Sequence, residues 1–532
     1  MAKQNEVQKT EPAHSFLYEP AALPPVTNPP DTASLLAIAE LSLEEPFNGR
    51  QALAFARSFT QRISLLWGPP GTGKTTVLAG IVLGWLEMTC KTGIPMCIAI
   101  GSSNWNAIDN VLSCVADLLE QRSIRVEEFF PPVRLIRVRG DHSPPPTDDR
   151  ITDVQRHSKI ASEIAEQLAS PEACLIVGST WMQLGKLAEE SSSDRKPIAQ
   201  WFDLLLIDEA SQVPVSTAAA YFLLAKDTVN VVLAGDHRQL GPIYGFQMQN
   251  SSQGLFDCVF SYMRENHNLE PTALDRNYRT NMGISGWPKE RFYPEGYEAF
   301  RPERRLEITL SNFSAAPPAS WPANLPWSSE LLRILDPDLP IAVITYDVQT
   351  YTLSNPFEAQ IVADLAFLYE LALKQNGDCP SNEEFWEQYL GIVTPHRAQM
   401  SNIRNLLIET SAIPADPLPA VDTVDRFQGQ ERNLIISSYA VADRDFVRQE
   451  EEFILNPRRF NVTLTRARSK FVMLISESIV QYLPDDARVA EDAAHLQLFV
   501  ENYCSSIDQK IDLPFFDNGV LTCMKCRLRG RR

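Results

Sequence analysis

The chain has 532 residues and a mass of 59.7 kDa, about three to four times the length of a typical domain, so two or more hydrophobic cores are expected. Hydrophobic residues make up 44% and charged residues 22%, which excludes wholesale disorder, collagen-like repeats and a coiled coil. Against 67 Asp and Glu stand 48 Lys and Arg, a net charge of −19, so the whole chain repels polyanions and any nucleic-acid surface must be a local basic stripe.

The opening stretch, 1–47, carries Pro12, Pro20, Pro24, Pro25, Pro29 and Pro30 with few periodic apolar residues, and predicts an extended tail. Its start, MAKQNEVQKTEPAH, has no apolar secretory core, and no run of about 18 apolar residues follows anywhere. An intracellular protein of the cytoplasm or nucleus, without a membrane span, is expected. From Asn48 onward, short β-type apolar runs at 63–67, 97–100, 175–177, 204–207 and 229–234 alternate with segments of helical period, the pattern of βαβ units and a parallel sheet. This first domain is read as 48–265, with a largely helical insertion at about 114–172 in which 133–138 is the exception. After a Pro-rich stretch the pattern restarts with runs at 341–345, 390–394, 434–438 and 471–475, giving a second α/β domain at 266–505. The end, 506–532, reads as a basic tail with Arg527, Arg529, Arg531 and Arg532. Its Cys523 and Cys526 form a CxxC, half of a zinc site, with only Cys504 and His495 nearby, so zinc is not expected. The nine cysteines are too few and irregular for a disulfide framework, and read as reduced thiols.

The most specific local pattern is Gly68, Pro69, Pro70, Gly71, Thr72, Gly73, Lys74, Thr75, Thr76, a P-loop set between a strand and a helix with apolar Val77, Leu78, Ile81, Val82 and Leu86. Its glycines let backbone N–H groups close around phosphates at the positive end of the helix. Lys74 reaches the β- and γ-phosphates and the Thr75 hydroxyl ligates Mg²⁺. Asp208 and Glu209 stand at the end of the apolar run at 204–207, where the metal and the attacking water of an open α/β sheet sit. Asp208 suits metal binding and Glu209 water activation. Gln239, after the run at 229–234, is placed to sense the γ-phosphate from the neighbouring loop.

These blocks, GPPGTGKTT at 68–76, SSNWNAID at 102–109, IDEASQ at 207–212 and GDHRQLGPI at 235–243, are joined by LDRNYRTN at 274–281, GIVTPHRAQ at 391–399, VDRFQGQER at 424–432 and RRFNVTLTRAR at 458–468. In this order the set resembles the superfamily-1 helicases of the Upf-like, senataxin-type branch. The resemblance implies two tandem RecA-like P-loop domains, each a parallel sheet flanked by helices. It implies that Arg279 and Arg466 are arginine fingers for the transferred phosphoryl group, that Tyr278 stacks on adenine, and that Gln51 pairs with the adenine edge. Gly429 and Glu431 fall where the family approaches the phosphates and ribose. Ser103, Asn104, Thr180, Thr394 and Pro395 fall where it holds a single strand of RNA or DNA. Read from residue type alone, the alternatives are surface salt-bridge arginines for Arg279 and Arg466, a core aromatic for Tyr278, a solvated helix residue for Gln51, and mere turns for the strand-end residues. Arg134, Arg137 and Arg139 offer local positive charge or an ordinary solvated strand face.

The resemblance implies an ATP-driven helicase or translocase with 5′ to 3′ directionality. The alternative is an ATP-gated clamp or remodelling subunit that does not unwind by itself. The 47 residues before Asn48 leave no room for the β-barrel of larger family members, so a weak, salt-sensitive grip is expected, improved by a protein partner or by the basic end.

Overall fold

The computed structural model describes residues 12–125, 132–191, 200–242, 257–409, 418–427 and 429–532. The chain divides into two compact units, Met1–Asp275 and Arg276–Arg532, each built on its own sheet.

In the first unit the strands are β1 (Ile63–Trp67), β2 (Cys97–Gly101), β3 (Val133–Arg139), β4 (Thr152–Gln155), β5 (Cys174–Gly178), β6 (Phe202–Ile207), β7 (Ala225–Gly235) and β8 (Thr272–Ala273). They form one parallel sheet in the order β4-β3-β5-β2-β6-β7-β1-β8. Every residue of β1, β2 and β5 is buried, which explains their unbroken apolar runs: both faces of a parallel sheet are covered by helices. The helix after β1, Lys74–Thr92, buries Val77, Leu78, Ile81, Val82 and Leu86. Gly84 is required there, since a Cβ would meet the Phe55 ring at 2.6 Å.

Three expectations are corrected in this unit. Residues 12–47 are no extended tail: helices Pro12–Tyr18 and Thr32–Glu40 bury Phe16, Leu17, Leu35 and Ala39. A few apolar side chains at helical spacing suffice to dock these short helices between the prolines, and Asp31 caps the second by accepting from the Ala33 and Ser34 amides. The insertion at about 114–172 is no largely helical excursion, because it supplies β3 and β4 to the edge of the sheet. Residues 266–275, expected in the second domain, belong to the first, where β8 pairs with β1.

In the second unit a short parallel pair, β9 (Arg276–Asn277) and β10 (Glu298–Ala299), precedes the main sheet. That sheet contains β11 (Ile341–Tyr346), β12 (Leu390–Val393), β13 (Val421–Asp422), β14 (Arg432–Ser438), β15 (Ala467–Ser476), β16 (Ile507–Asp517) and β17 (Val520–Arg531), in the order β13-β12-β14-β15-β11-β17-β16. β11 to β15 run parallel, and β17 then pairs antiparallel with β11 and with β16. The expected basic tail is therefore a correction: it is a hairpin of the sheet. Asn518 and Gly519, both at positive φ, make its two-residue turn, while Ile511, Leu513, Phe515, Cys526 and Leu528 are buried in the core. Its arginines are largely committed: Arg527 pairs with Asp508, Arg529 with Glu477, and Arg531 lies 4.7 Å from the Tyr503 ring. Cys523 is exposed and Cys526 buried on the same strand.

Among the described residues no helix is long and apolar enough to cross a membrane.

Candidate functional site

Because β6, β7 and β1 are neighbours, the loops leaving their C-terminal ends lie side by side. Trp67 is opposite Gly235, and Ile207 opposite Leu233. That register gathers the P-loop, the carboxylate pair and the Gln239 loop at one edge.

In the P-loop, Gly71 and Gly73 have φ values of 73° and 81°, the left-handed region glycine enters without strain. A side chain at Gly73 would also strike the Gln51 amide, at 2.7 Å. The Lys74 ammonium donates to the Gly68 carbonyl at 2.6 Å, and the Thr72 hydroxyl to that of Pro69 at 2.8 Å. Pro69, Pro70 and Thr72 are buried, whereas Gly71, Lys74, Thr75 and Thr76 are half-buried at the N-terminus of a 19-residue helix. This is a shaped anion cradle. Gln51 is buried rather than solvated. Its Oε1 accepts the Asn48 amide at 3.0 Å, closing a capping box, and its Nε2 donates to the Thr72 carbonyl at 3.2 Å, so it braces the cradle from behind.

Asp208 and Glu209 follow β6. The Asp208 carboxylate accepts the Glu209 amide at 2.8 Å, and Glu209 holds φ at 50°, a strained conformation for a residue with a side chain. Burial, together with the adjacent Glu209 charge, pushes the Asp208 carboxyl up to about 7, while Lys74 and the Glu209 amide act the other way. Two carboxylates side by side at a buried strand end fit a divalent cation. Asp208 with the Thr75 hydroxyl would hold Mg²⁺, which supplies charge neutralisation for the phosphates.

Gln239 is buried and donates to the Asp236 carboxylate at 2.8 Å. The same carboxylate accepts the Trp67 indole N–H at 3.0 Å and the Arg238 amide at 3.1 Å. Asp236 thus locks Gln239 to the strand that carries the P-loop, a role its place in GDHRQ signalled but sequence reasoning passed over. Gly235 allows the carboxylate turn to approach, since a Cβ there would lie 2.8 Å from the Ser211 amide nitrogen.

In the second unit Glu431 and Arg466 lie at the N-terminal ends of two neighbouring strands of its sheet. Arg432 pairs in register with Ala467, so the residues just before β14 and β15, Glu431 and Arg466, are neighbours. Arg466 is buried and donates to the carbonyls of Val462 at 3.1 Å and Gln430 at 3.3 Å. Arg279 donates to the Thr465 carbonyl at 3.1 Å and forms an ion pair with Glu431, on which Arg468 also closes at 2.8 Å. Burial opposes the Glu431 charge, but Arg279 and Arg468 outweigh it and hold the carboxyl down at about 2. Arg468 is a member of this cluster that motif reading missed. Tyr278 is half-buried against Phe300, ring centroids 4.9 Å apart. Gly429 takes φ 87° beside Gln428, which lies outside the described residues.

The expected strand contacts divide. Ser103 is exposed after β2, and Thr180 half-buried after the adjacent β5, at the same edge as the P-loop. The Asn104 side chain, however, accepts the Ala107 amide at 2.8 Å and caps the helix Trp105–Arg125. Thr394 is fully buried at the end of β12, its amide bonded to the Asp422 carbonyl at 3.1 Å, so its side chain does not face solvent; Pro395 beside it is half-buried. Arg134, Arg137 and Arg139 form neither a positive patch nor a solvated face. Arg137 grips Asp109 at 2.5 and 3.0 Å, Arg139 grips Asp153 at 2.7 and 2.9 Å, and Arg134 donates to Gln167 at 2.6 Å.

Two sheets in tandem, the first parallel and the second parallel but for its closing hairpin, with a P-loop and an acidic pair at the same edge of the first, define a tandem RecA-like P-loop protein. Two family models described as AAA domains match the chain, over residues 46–178 and 255–478. The mouse DNA replication ATP-dependent helicase/nuclease DNA2 is 26% identical over 438 residues, 79% of this chain and 36% of that protein. ATP-dependent helicase upf1 of Schizosaccharomyces pombe is 26% identical over 494 residues, 86% of this chain and 48% of that protein. DNA polymerase alpha-associated DNA helicase A of Saccharomyces cerevisiae is 24% identical over 493 residues, 85% of this chain and 68% of that protein. The chain belongs to the superfamily-1 helicases, in their Upf-like branch. It spans 36% and 48% of the first two of these relatives.

Proposed function

We propose that the protein hydrolyses ATP and uses the cycle to move along a single strand of RNA or DNA, 5′ to 3′. The observation that carries this reading is the convergence of Lys74, Asp208, Glu209 and Gln239 on the C-terminal ends of three adjacent strands, with the loops of β2 and β5 next along the same edge. The P-loop amides and Lys74 hold the phosphates, Thr75 and Asp208 hold Mg²⁺, and Glu209 accepts the proton of the attacking water. Gln239, fixed by Asp236, reports the state of the γ-phosphate. Arg279 and Arg466 supply the charge that stabilises the transition state, and Tyr278 the stacking surface for adenine. Gln51 braces the P-loop and pairs with the adenine edge, which selects ATP over GTP. Glu431 and Gly429 border the ribose and phosphates. Ser103 and Thr180 meet the strand, with Thr394 and Pro395 shaping the backbone of the second unit's contact. Residues 48–275 act as the nucleotide-holding domain and 276–532 as its counterpart, in an intracellular setting.

The arginines of β3 favour a second reading, a nucleotide-gated clamp without autonomous unwinding. With Arg137 and Arg139 consumed by Asp109 and Asp153, the acidic chain has less positive charge to offer a polyanion. The experiment is ATP turnover with and without single-stranded RNA or DNA, followed by strand displacement from duplexes with a 5′ or a 3′ overhang over a series of salt concentrations. Stimulation with unwinding from the 5′ overhang supports the translocase. Stimulation without unwinding leaves the clamp, and no stimulation at low salt overturns both.

A further inference from the structure

Tyr221 lies on the helix Val215–Phe222 and is buried at 1% exposure, outside every motif of the nucleotide and strand sites. Its hydroxyl reaches two loops at once. It accepts the Ser102 amide at 3.2 Å, and its proton is directed to the Ser179 carbonyl at 2.9 Å, with the Ser102 carbonyl at 3.3 Å. Ser102 precedes Ser103 in the loop after β2, and Ser179 precedes Thr180 in the loop after β5. The ring passes so close to β2 that only glycine fits at position 101, where a Cβ would lie 2.6 Å from Tyr221 Cζ.

The other end of the same helix is tied to the hydrolytic carboxylates. The chain runs from Glu209 through the turn Ala210–Gln212 directly into Val215. Ser211 Oγ accepts the Asp236 amide at 3.3 Å, joining that turn to the loop that holds Gln239. Phe222 stacks on Phe16, centroids 5.5 Å apart, which fixes the helix from its outer side. An eight-residue helix is about 12 Å of rigid rod. Moving either loop at its far end therefore displaces the rod or breaks buried hydrogen bonds, and a buried carbonyl left without its donor is costly.

We propose that the Tyr221 hydroxyl is a positioning device that holds the loops after β2 and β5 in register and couples their occupancy by a single strand to the Asp208–Glu209 turn. This rests on the strand-binding reading of Ser103 and Thr180. Tyr221 touches neither nucleotide nor strand, and it acts through the backbone of residues that do.

The test is Tyr221→Phe in the full chain, which keeps the ring and removes only the hydroxyl. ATP turnover is measured against the concentration of oligouridine or oligothymidine, together with the thermal midpoint. Strand-free turnover should match the wild type and the midpoint should fall by only a few degrees, the cost of the unpartnered Ser102 amide and Ser179 carbonyl, while the half-saturating strand concentration rises about tenfold and the maximal stimulation falls. Unchanged half-saturation and stimulation would overturn the proposal. So would a lowered midpoint with a parallel loss of strand-free turnover, which would make Tyr221 a packing residue. If neither strand stimulates the wild-type protein, the strand-binding reading fails first and takes the coupling with it, an outcome separate from a stimulated wild type with an indifferent variant.

Discussion

Arg137 and Arg139 on β3 and Arg279 and Arg466 in the second unit are the same residue type in two settings. Arg137 is fully buried, bonded at both ends of its fork to Asp109, donating to the Pro144 carbonyl at 2.6 Å, with the Trp105 ring 4.2 Å away. Arg466 is almost as deeply buried, yet donates to the backbone carbonyls of Val462 and Gln430. A guanidinium closed on a carboxylate is neutralised and serves the fold. An arginine finger has a different task, to present its planar fork to the transferred phosphoryl group. Arg279 stands between these settings: a carbonyl orients it, and Glu431 pairs with it.

The largest effect that would test this contrast is on turnover. Arg466→Ala should lower kcat by about 10³ or more with ATP affinity nearly intact, because the charge acts in the transition state. Steady-state ATP hydrolysis beside equilibrium nucleotide binding measures both. A rise in KM alone would make Arg466 a binding residue. Lysine at this position should rescue poorly, since an ammonium does not reproduce the planar fork.

Glu209→Gln sets the scale for that loss. It should cut kcat by about 10² to 10⁴ while ATP stays bound, because the amide removes the base and leaves the cradle and Asp208 in place. Lys74→Ala should lose nucleotide affinity as well as turnover. Comparable hydrolysis by Glu209→Gln and wild type would remove Glu209 from the mechanism.

The β3 arginines should respond oppositely. Asp109→Ala leaves the Arg137 guanidinium buried without its carboxylate, and should cost about 3 kcal/mol of stability in urea unfolding with turnover per folded molecule unchanged. Asp109 bears the cost of the arrangement even in the wild type: burial raises its pKa, and Arg137 only partly offsets this.

This contrast marks where the sequence was legible. The P-loop and the Asp208–Glu209 pair could be read because each follows a largely apolar strand flanked on both sides in a parallel sheet, so local pattern and position in the fold coincide. The fate of an arginine could not, since Asp109 lies 28 residues before Arg137 and Asp153 14 residues after Arg139, and only the folded sheet brings them together. Tyr221 was silent for the same reason: its partners are the backbone groups of residues 119 and 42 positions away. The C-terminal hairpin was readable but overshadowed by its arginines. The alternation of Ile511, Leu513 and Phe515 with Asp512 and Pro514, ending at Asn518-Gly519, is a strand and turn signature.

The smallest expected effect decides how Arg279 belongs to the comparison. Glu431 carries an ordinary carboxylate value of 4.5 outside the fold and about 2 within it, so the folded state favours its charged form. A depressed carboxyl stabilises the fold fully above pH 4.5, and that contribution is lost as pH falls from there towards 2. Its side chain is 29% exposed, so solvent screening reduces the pair to about 1–2 kcal/mol. Glu431→Gln should therefore be less stable than wild type by about that amount at pH 7. The difference should hold down to about pH 4.5 and shrink below it, as urea midpoints at neutral and acid pH would show. A difference that persists in acid would mean that Glu431 acts by packing rather than by charge. If the difference shrinks and Glu431→Gln also retains ATP turnover, the ion pair is only a resting place for Arg279, and its guanidinium belongs with Arg466. If turnover collapses although the protein remains folded, Glu431 is needed to aim Arg279 or to border the nucleotide, and pairing with a carboxylate does not by itself assign an arginine to the fold.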